Sequence, residues 1–468
     1  MSAILPYRAA IESMIRLLLC MCTISFVFAN SANAQPGKLQ GFYNILTSGS
    51  GMDSEGFDRS VVSGVLFFDS LSQRFYINGH SASMETRMMC GLSKSDSESY
   101  GAWKRSACDR RFIRRTDDEF IYVSGAYEYL SDLTIRFKVD GSPEFNSVEG
   151  FTNIDASVVM LPLHPSTGVN LVVGVKASTA AMGNSALGVY DWNAKIAELP
   201  SSRHSIGGWW RSYSVGIEKG TMDLGATDYT SSGNGSKIKS IFKCRSAANG
   251  CTIGAKQIAK SSVTFPEGGD LSVAAWGGLS VHGKKNTVLP GLVSSDKQLI
   301  VVAEENSKSG RQGLTLMTRQ GEGLSNASVI GEYNALALEE FLSSDGRIRN
   351  AVVEGPLELD GTNWAFGPAT DSSVIRDECS GDRENCYVSV SNFSAVGTAG
   401  GDYTIGNTGE MVMSGIAIDG NPRLFKGNIS SDGQFIVLRR VRNNISCDFF
   451  CSGTQSIRSL IIAVRRSE

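Results

Sequence analysis

The chain is poor in the residues and motifs from which most enzymes assemble their chemistry. Its 468 residues hold four histidines, His80, His164, His204 and His282, none of them in a metal-ligand spacing. A Gly-x-Ser-x-Gly elbow, an HExxH helix, a phosphate-binding loop and a dinucleotide-binding loop are all missing. Charge of one sign is also lacking: 44 Lys and Arg stand against 47 Asp and Glu, so there is no general drive toward nucleic acid or an anionic membrane. Long apolar stripes with the period of a helix do not occur, and past residue 34 no run reaches the length of a membrane span. No metal and no cofactor is expected. What the chain does have is glycine, 51 residues of it, between short alternating apolar runs bounded by Gly, Asp and Asn. That is the pattern of an all-β protein, and the length exceeds what one core holds.

Residues 1–34 read as a secretory signal peptide. Arg8 and Arg16 make a positive start, Leu17 to Ala29 is apolar, and Ala32-Asn33-Ala34 supplies a small-x-small cleavage pattern. Export to the periplasm or the medium after cleavage near Ala34 is expected, with no membrane span in the mature chain.

The remainder reads as three copies of a unit of about 145 residues. Gly41-Phe42-Tyr43, Gly188-Val189-Tyr190 and Gly331-Glu332-Tyr333 open the copies. Further on, Gly150 to Leu161, Gly291 to Val302 and Gly427 to Leu438 align without a gap. Each places an Asp (Asp155, Asp296, Asp432) three residues before a run of four apolar residues, which predicts a turn and then a strand buried on both faces. A last strand ends on Lys176, Arg319 or Arg465. The units span 35–176, 188–319 and 331–468, joined by small, polar segments at 177–187 and 320–330. Modular folding is expected, with 320–468 folding alone. Each unit halves internally, so two architectures are open: three tandem antiparallel up-and-down β-barrels, the preferred one, or one six-bladed β-propeller.

Eight cysteines follow the signal peptide, and the repeat resolves their pairing into Cys90–Cys108, Cys244–Cys251, Cys379–Cys386 and Cys447–Cys451. In an oxidising compartment, local disulfides suit these spacings better than zinc. Asp-Gly pairs such as Asp140-Gly141 and Asp419-Gly420 suit hairpin turns rather than calcium loops. The basic run from Lys104 to Arg115 is partly offset by Asp109, Asp117, Asp118 and Glu119, as on a solvated hairpin. Met84, Met88, Met89 and Cys90 match a soft-metal cluster only in composition. Four of six tryptophans fall in the second unit, and adjacent Trp209 and Trp210 cannot both face inward on a regular strand. One of them is the best ligand contact the sequence offers, for a sugar ring above all.

Gly-x-Tyr at the start of each unit and a cation at its end resemble the calycin superfamily of lipocalin- and avidin-type barrels, which open with Gly-x-Trp and pack a basic residue over that ring. The resemblance implies that Tyr43 meets Lys176, Tyr190 meets Arg319 and Tyr333 meets Arg465. Tandem barrels, local disulfides and the missing catalytic motifs favour a non-catalytic exported protein, ligand-binding or structural, of the bacterial envelope or extracellular space, its partner a polysaccharide or another envelope component. The alternative is an extracellular hydrolase on a propeller, which would pool carboxylates at one axis.

Overall fold

The structure, a computed structural model, describes residues 39–52, 56–89, 111–130, 133–141, 148–163, 168–178, 182, 187–198, 209–244, 251–254, 268–283, 287–306, 311–343, 348–367, 369–376, 388–395, 399–416, 422–446 and 453–466. The signal-peptide reading lies outside these residues, as do Cys90, Cys108, Cys379, Cys386, Cys447 and Cys451.

Barrel 1 consists of β1 (Gly41–Met52), β2 (Gly56–Asp69), β3 (Arg74–Met89), β4 (Arg111–Tyr129), β5 (Thr134–Val139), β6 (Val148–Thr152), β7 (Val158–Leu163) and β8 (Gly168–Lys176). Barrel 2 consists of β9 (Gly188–Glu198), β10 (Trp209–Leu224), β11 (Asp228–Cys244), β12 (Cys251–Gly254), β13 (Gly268–Val273), β14 (Gly278–Gly283), β15 (Thr287–Val293), β16 (Leu299–Asn306) and β17 (Arg311–Arg319). Barrel 3 consists of β18 (Gly331–Ser343), β19 (Ile348–Leu359), β20 (Asn363–Phe366), β21 (Ala369–Arg376), β22 (Val388–Ala395), β23 (Ala399–Ile405), β24 (Glu410–Ile416), β25 (Pro422–Ile429), β26 (Phe435–Ser446) and β27 (Thr454–Arg465). Two strands in succession occupy one strand position for β12–β13, β20–β21 and β22–β23, so each barrel has eight positions. The first strand pairs antiparallel with the last of its own unit in all three: β1 with β8, β9 with β17, β18 with β27. Closure within each unit leaves no blades, and the propeller is excluded.

Register carries Tyr43 opposite Lys176, Tyr190 opposite Arg319 and Tyr333 opposite Arg465. The opening glycines adopt positive φ (89°, 98° and 144° at Gly41, Gly188 and Gly331), a conformation that disfavours a side chain. Each buried tyrosine hydroxyl donates to the carbonyl of the residue after the landmark aspartate: Ala156 at 2.5 Å, Lys297 at 2.6 Å and Gly433 at 2.9 Å. Those turns are built alike. The side chain two residues before the Asp, Asn153, Ser294 or Ser430, accepts from the N–H that starts the next strand, at 2.8, 2.9 and 2.9 Å. The carboxylate accepts from the N–H two residues on, at 3.1, 2.9 and 3.0 Å. Tyr190→Phe removes the hydroxyl donor to the Lys297 carbonyl and should cost about 1 kcal/mol in urea unfolding. An unchanged midpoint would mean that the hydroxyl is not what pins the turn.

Eight strands leave an interior that side chains fill. In barrel 1 it holds Tyr43, Phe68, Phe75, Tyr127 and Phe137, with Phe68 edge-on to Tyr127 at 4.9 Å. In barrel 2 it holds Trp192, seated over Gly220 and Gly233, where a Cβ would come within 2.6 and 2.2 Å of the indole. In barrel 3, Trp364 meets Phe425 at 5.8 Å. The segments ahead of the first strands add to these interiors. Met182 and Leu187 join barrel 2, and the 3-10 turn Asn326–Val329 buries Val329 against barrel 3. Met182 N–H donates to Ala275 at 3.1 Å, and Leu324 N–H to Asn407 at 3.2 Å.

A further apolar cluster belongs to no single barrel. It takes Val158 and Met160 from β7, Leu299 and Val301 from β16, and Phe435 and Val437 from β26, together with residues of β1, β8, β17, β18 and β27. The alternate residues Val159, Ile300 and Ile436 point into their own barrels. The four-residue apolar runs are therefore buried on both faces because one face lines a barrel and the other faces its neighbours.

Candidate functional site

An even number of antiparallel strands sorts the connections between two ends of each barrel. At the end holding the tyrosines and aspartates, the three connections of every barrel run to three to five residues. At the opposite end the connections range from three to twenty-one residues and differ from copy to copy. The link following the third strand position is residues 90–110 in barrel 1, 245–250 in barrel 2 and 377–387 in barrel 3. One end is a uniform turn end and the other a variable loop end, and variable loops on a rigid scaffold are where recognition concentrates.

Both ends of the barrels lie together. At the turn end, Ser431 Oγ donates to Gln298 Oε1 at 2.6 Å between barrels 3 and 2. The half-buried carboxyl of Asp296 is pushed up by burial first, and then by the charges of Asp432 and Asp155 from the other barrels. Nearer the loop end, Asn350 of barrel 3 donates to Ser50 Oγ of barrel 1 at 3.0 Å, and Arg458 of barrel 3 donates to Ser236 Oγ of barrel 2 at 2.9 Å. Contacts at both levels hold the barrels side by side, so their loop ends share one side of the molecule.

Of the residues singled out in the sequence, Trp209, Trp210 and the basic run fall at the loop end. Trp209 and Trp210 open β10, past the last β9 partner, Ser214 to Glu198. Trp209 is in register with Cys244, and Cys244 with Cys251, a single row across three strands. Arg111, Arg114 and Arg115, the described part of the basic run, start β4 at the same end of barrel 1. Trp192 is core, whereas Trp276 is half exposed in the β13–β14 turn and accepts from Asn44 Nδ2 of barrel 1 at 3.3 Å. The expected cystines occupy the loop-end links by sequence position, since Cys90 follows β3, Cys108 precedes β4, Cys379 follows β21 and Cys386 precedes β22. Peptide mapping without reduction should recover Cys244 joined to Cys251. A free thiol at either position in protein from an oxidising compartment counts against the pairing.

Beneath the start of β10 lies an ionic brace that the sequence did not signal. Arg311 on β17 pairs with Glu218 on β10 at 2.9 Å and with Glu304 on β16, while Lys237 on β11 pairs with Glu198 on β9. Burial pushes the Glu218 carboxyl up against the pull of Arg311. At Glu198 burial also acts upward, but the hydrogen bond from Lys237 prevails and holds the carboxyl low. Among the described residues no group of three His, Cys, Asp or Glu is placed to hold a metal, and no helix is long and apolar enough to cross a membrane.

No family model matches the chain, and neither does any curated protein. Among solved structures it is similar to isotype 1 transferrin binding protein B from serogroup B Neisseria meningitidis, at 8% identity over 92% of this chain and 77% of that one, with a TM-score of 0.24. It is also similar to a Trp-to-Ala mutant of the vaccine antigen transferrin binding protein B from Haemophilus parasuis Hp5, at 6% identity over 92% and 77%, with a TM-score of 0.22.

Proposed function

We propose that the chain is an exported, non-catalytic binding protein of the envelope or extracellular space, with three calycin-like barrels presenting one composite loop face. The observation that carries this reading is the segregation of the connections: uniform turns at one end, copy-specific links with the cysteines, Trp209 and Trp210 at the other. The interiors are occupied by the protein's own aromatic residues, which moves binding from a cup inside the barrel to the loops outside. The tyrosine-to-cation register supports the calycin likeness. The hydrolase reading needs carboxylates free to work as acid and base. That reading draws on a propeller axis to pool them, and closure within each unit supplies no such axis.

A polysaccharide or another envelope component is the partner class that fits adjacent tryptophans at the loop end of a strand. Titration with purified envelope polysaccharide should give a saturable change in tryptophan fluorescence. Affinity should fall about tenfold or more in the Trp209→Ala, Trp210→Ala double variant with the melting curve unchanged. Leu71→Ala, at an exposed turn-end position, should leave it untouched. Binding that ignores the tryptophans and responds to Leu71 would place recognition at the wrong end for this proposal.

A further inference from the structure

Barrels 2 and 3 meet along a polar seam. Across it, Asn193 Nδ2 of β9 donates to Asn428 Oδ1 of β25 at 3.3 Å, and Arg439 Nη1 of β26 donates to Asn193 Oδ1 at 2.7 Å. The Asp191 carboxylate accepts from Asn428 Nδ2 at 2.8 Å, Gln320 Nε2 at 2.9 Å and Thr221 Oγ1 at 3.3 Å. Amide and hydroxyl donors thus occupy both of its oxygens.

Three cations border this floor. Lys219 of β10 is in register with Asn193 on one side. On the other, Lys426 of β25 stands directly opposite Arg439, and like charges in that relation destabilise a sheet. Lys219 and Lys426 are exposed and Arg439 is half-buried. Among the described residues none of the three makes an ion pair. Burial pushes the Lys219 ammonium down, Arg439 and Lys426 push it further, and Asp191 pulls the other way. Arg439 is lowered to about 10 by burial alone, with no carboxylate acting against it, and stays charged at neutral pH. Burial pushes the Asp191 carboxyl up, and Glu410 adds to that. Glu410 is not among the charges acting on Lys219 or Arg439. Three cations against Asp191 leave two positive charges unmatched beside solvent.

A phosphate monoester carries about −1.5 to −2 charges at pH 7 and three acceptor oxygens, whereas a carboxylate brings one charge. The hydrogen bonds of the Arg439 guanidinium, to Asn193 and to the Lys426 carbonyl, both use Nη1. Its Nε and Nη2 are left as a fork of the shape that grips oxyanions. Lys219 lies ten residues along β10 from Trp209, about 33 Å of strand, so the seam is separate from the loop face.

We propose that the seam between barrels 2 and 3 is a binding site for a phosphate group, free or borne on a saccharide, held by Lys219, Lys426 and Arg439.

Titration calorimetry of the full chain with inorganic phosphate, glucose 1-phosphate, glucose and glucuronate tests this. Both phosphates should bind, glucose should not, and glucuronate should bind at least about tenfold more weakly. Tighter binding of glucose 1-phosphate than of inorganic phosphate supports a saccharide source, and equal binding supports free phosphate. Lys219→Gln with Lys426→Gln, both at exposed positions, should keep the fold and lower phosphate affinity about tenfold or more. Trp209→Ala with Trp210→Ala should leave that affinity unchanged. Melts give a second readout. Without phosphate the lysine double variant should melt above the unaltered protein, because like charges no longer face each other. Phosphate should raise the melting temperature of the unaltered protein only. Glucuronate binding as tightly as phosphate, or phosphate affinity that ignores the lysines or follows the tryptophans, overturns the proposal. So does phosphate without effect on either calorimetry or melting.

Discussion

Glu340→Ala should destabilise the full chain by about 3–5 kcal/mol, because it removes the carboxylate that pairs with two buried cations. Glu340 of barrel 3 lies at the junction of the three barrels, paired with Arg59 of barrel 1 and with Lys195 of barrel 2 at 2.6 Å, so the loss falls on the assembly and not on one unit. Burial alone already pushes the Lys195 ammonium toward its neutral form, an effect that Glu340 opposes. A companion variant separates charge from packing. Arg59→Met with Lys195→Met and Glu340→Leu removes all three charges, keeps most of the volume, and should lie near wild type or above it. Chemical denaturation measures both. A Glu340→Ala protein within about 1 kcal/mol of wild type would mean that water reaches the junction and screens the pair.

Excision of barrel 3 as residues 320–468 should yield a chain that aggregates or melts without cooperativity, while the full chain unfolds in one transition. Leu336, Leu338, Leu342, Ile348, Val352, Phe435, Val437, Leu460, Ile462 and Val464 of this barrel all belong to the cluster shared with barrels 1 and 2. Full burial of such side chains contributes about 1.5–3 kcal/mol each, and even part of that sum rivals the 5–15 kcal/mol net stability of a typical domain. The excised barrel would also carry Glu340 away from both of its cations. Boundaries drawn from small polar linkers favour independent folding; the shared cluster changes that expectation to mutual dependence. A soluble, monomeric 320–468 fragment with a sharp melt would show that the barrels merely touch.

The landmarks readable in the sequence were those repeated in every copy. Tyr43, Tyr190 and Tyr333 opposite their cations, the turns at Asp155, Asp296 and Asp432, and the run buried on both faces each recur at a fixed place, and recurrence separated them from chance. The junction has no such signature. Arg59, Lys195 and Glu340 occupy different positions in their units, and a charged residue alternating with apolar ones reads as the solvent face of a strand. Only the packing of barrel on barrel turns that face inward. Trp192 was hidden for a related reason, since its place depends on Gly220 and Gly233 from two other strands. The linkers looked like spacers because a single Met182 or Leu324 among small residues carries little periodic signal, although each contacts the barrel that follows it.

The even strand count has a consequence for how such a chain lengthens. A barrel of eight antiparallel strands takes the chain in and lets it out at the same end, here the turn end. A unit duplicated in tandem therefore needs only a short connector there, and nothing crosses the loops opposite. Copies can multiply while each loop set diverges by itself, the connector serving at once as joint and as stopper for the next barrel. With nine strands per unit, every added copy would have had to thread its connector through the face that the existing copies expose.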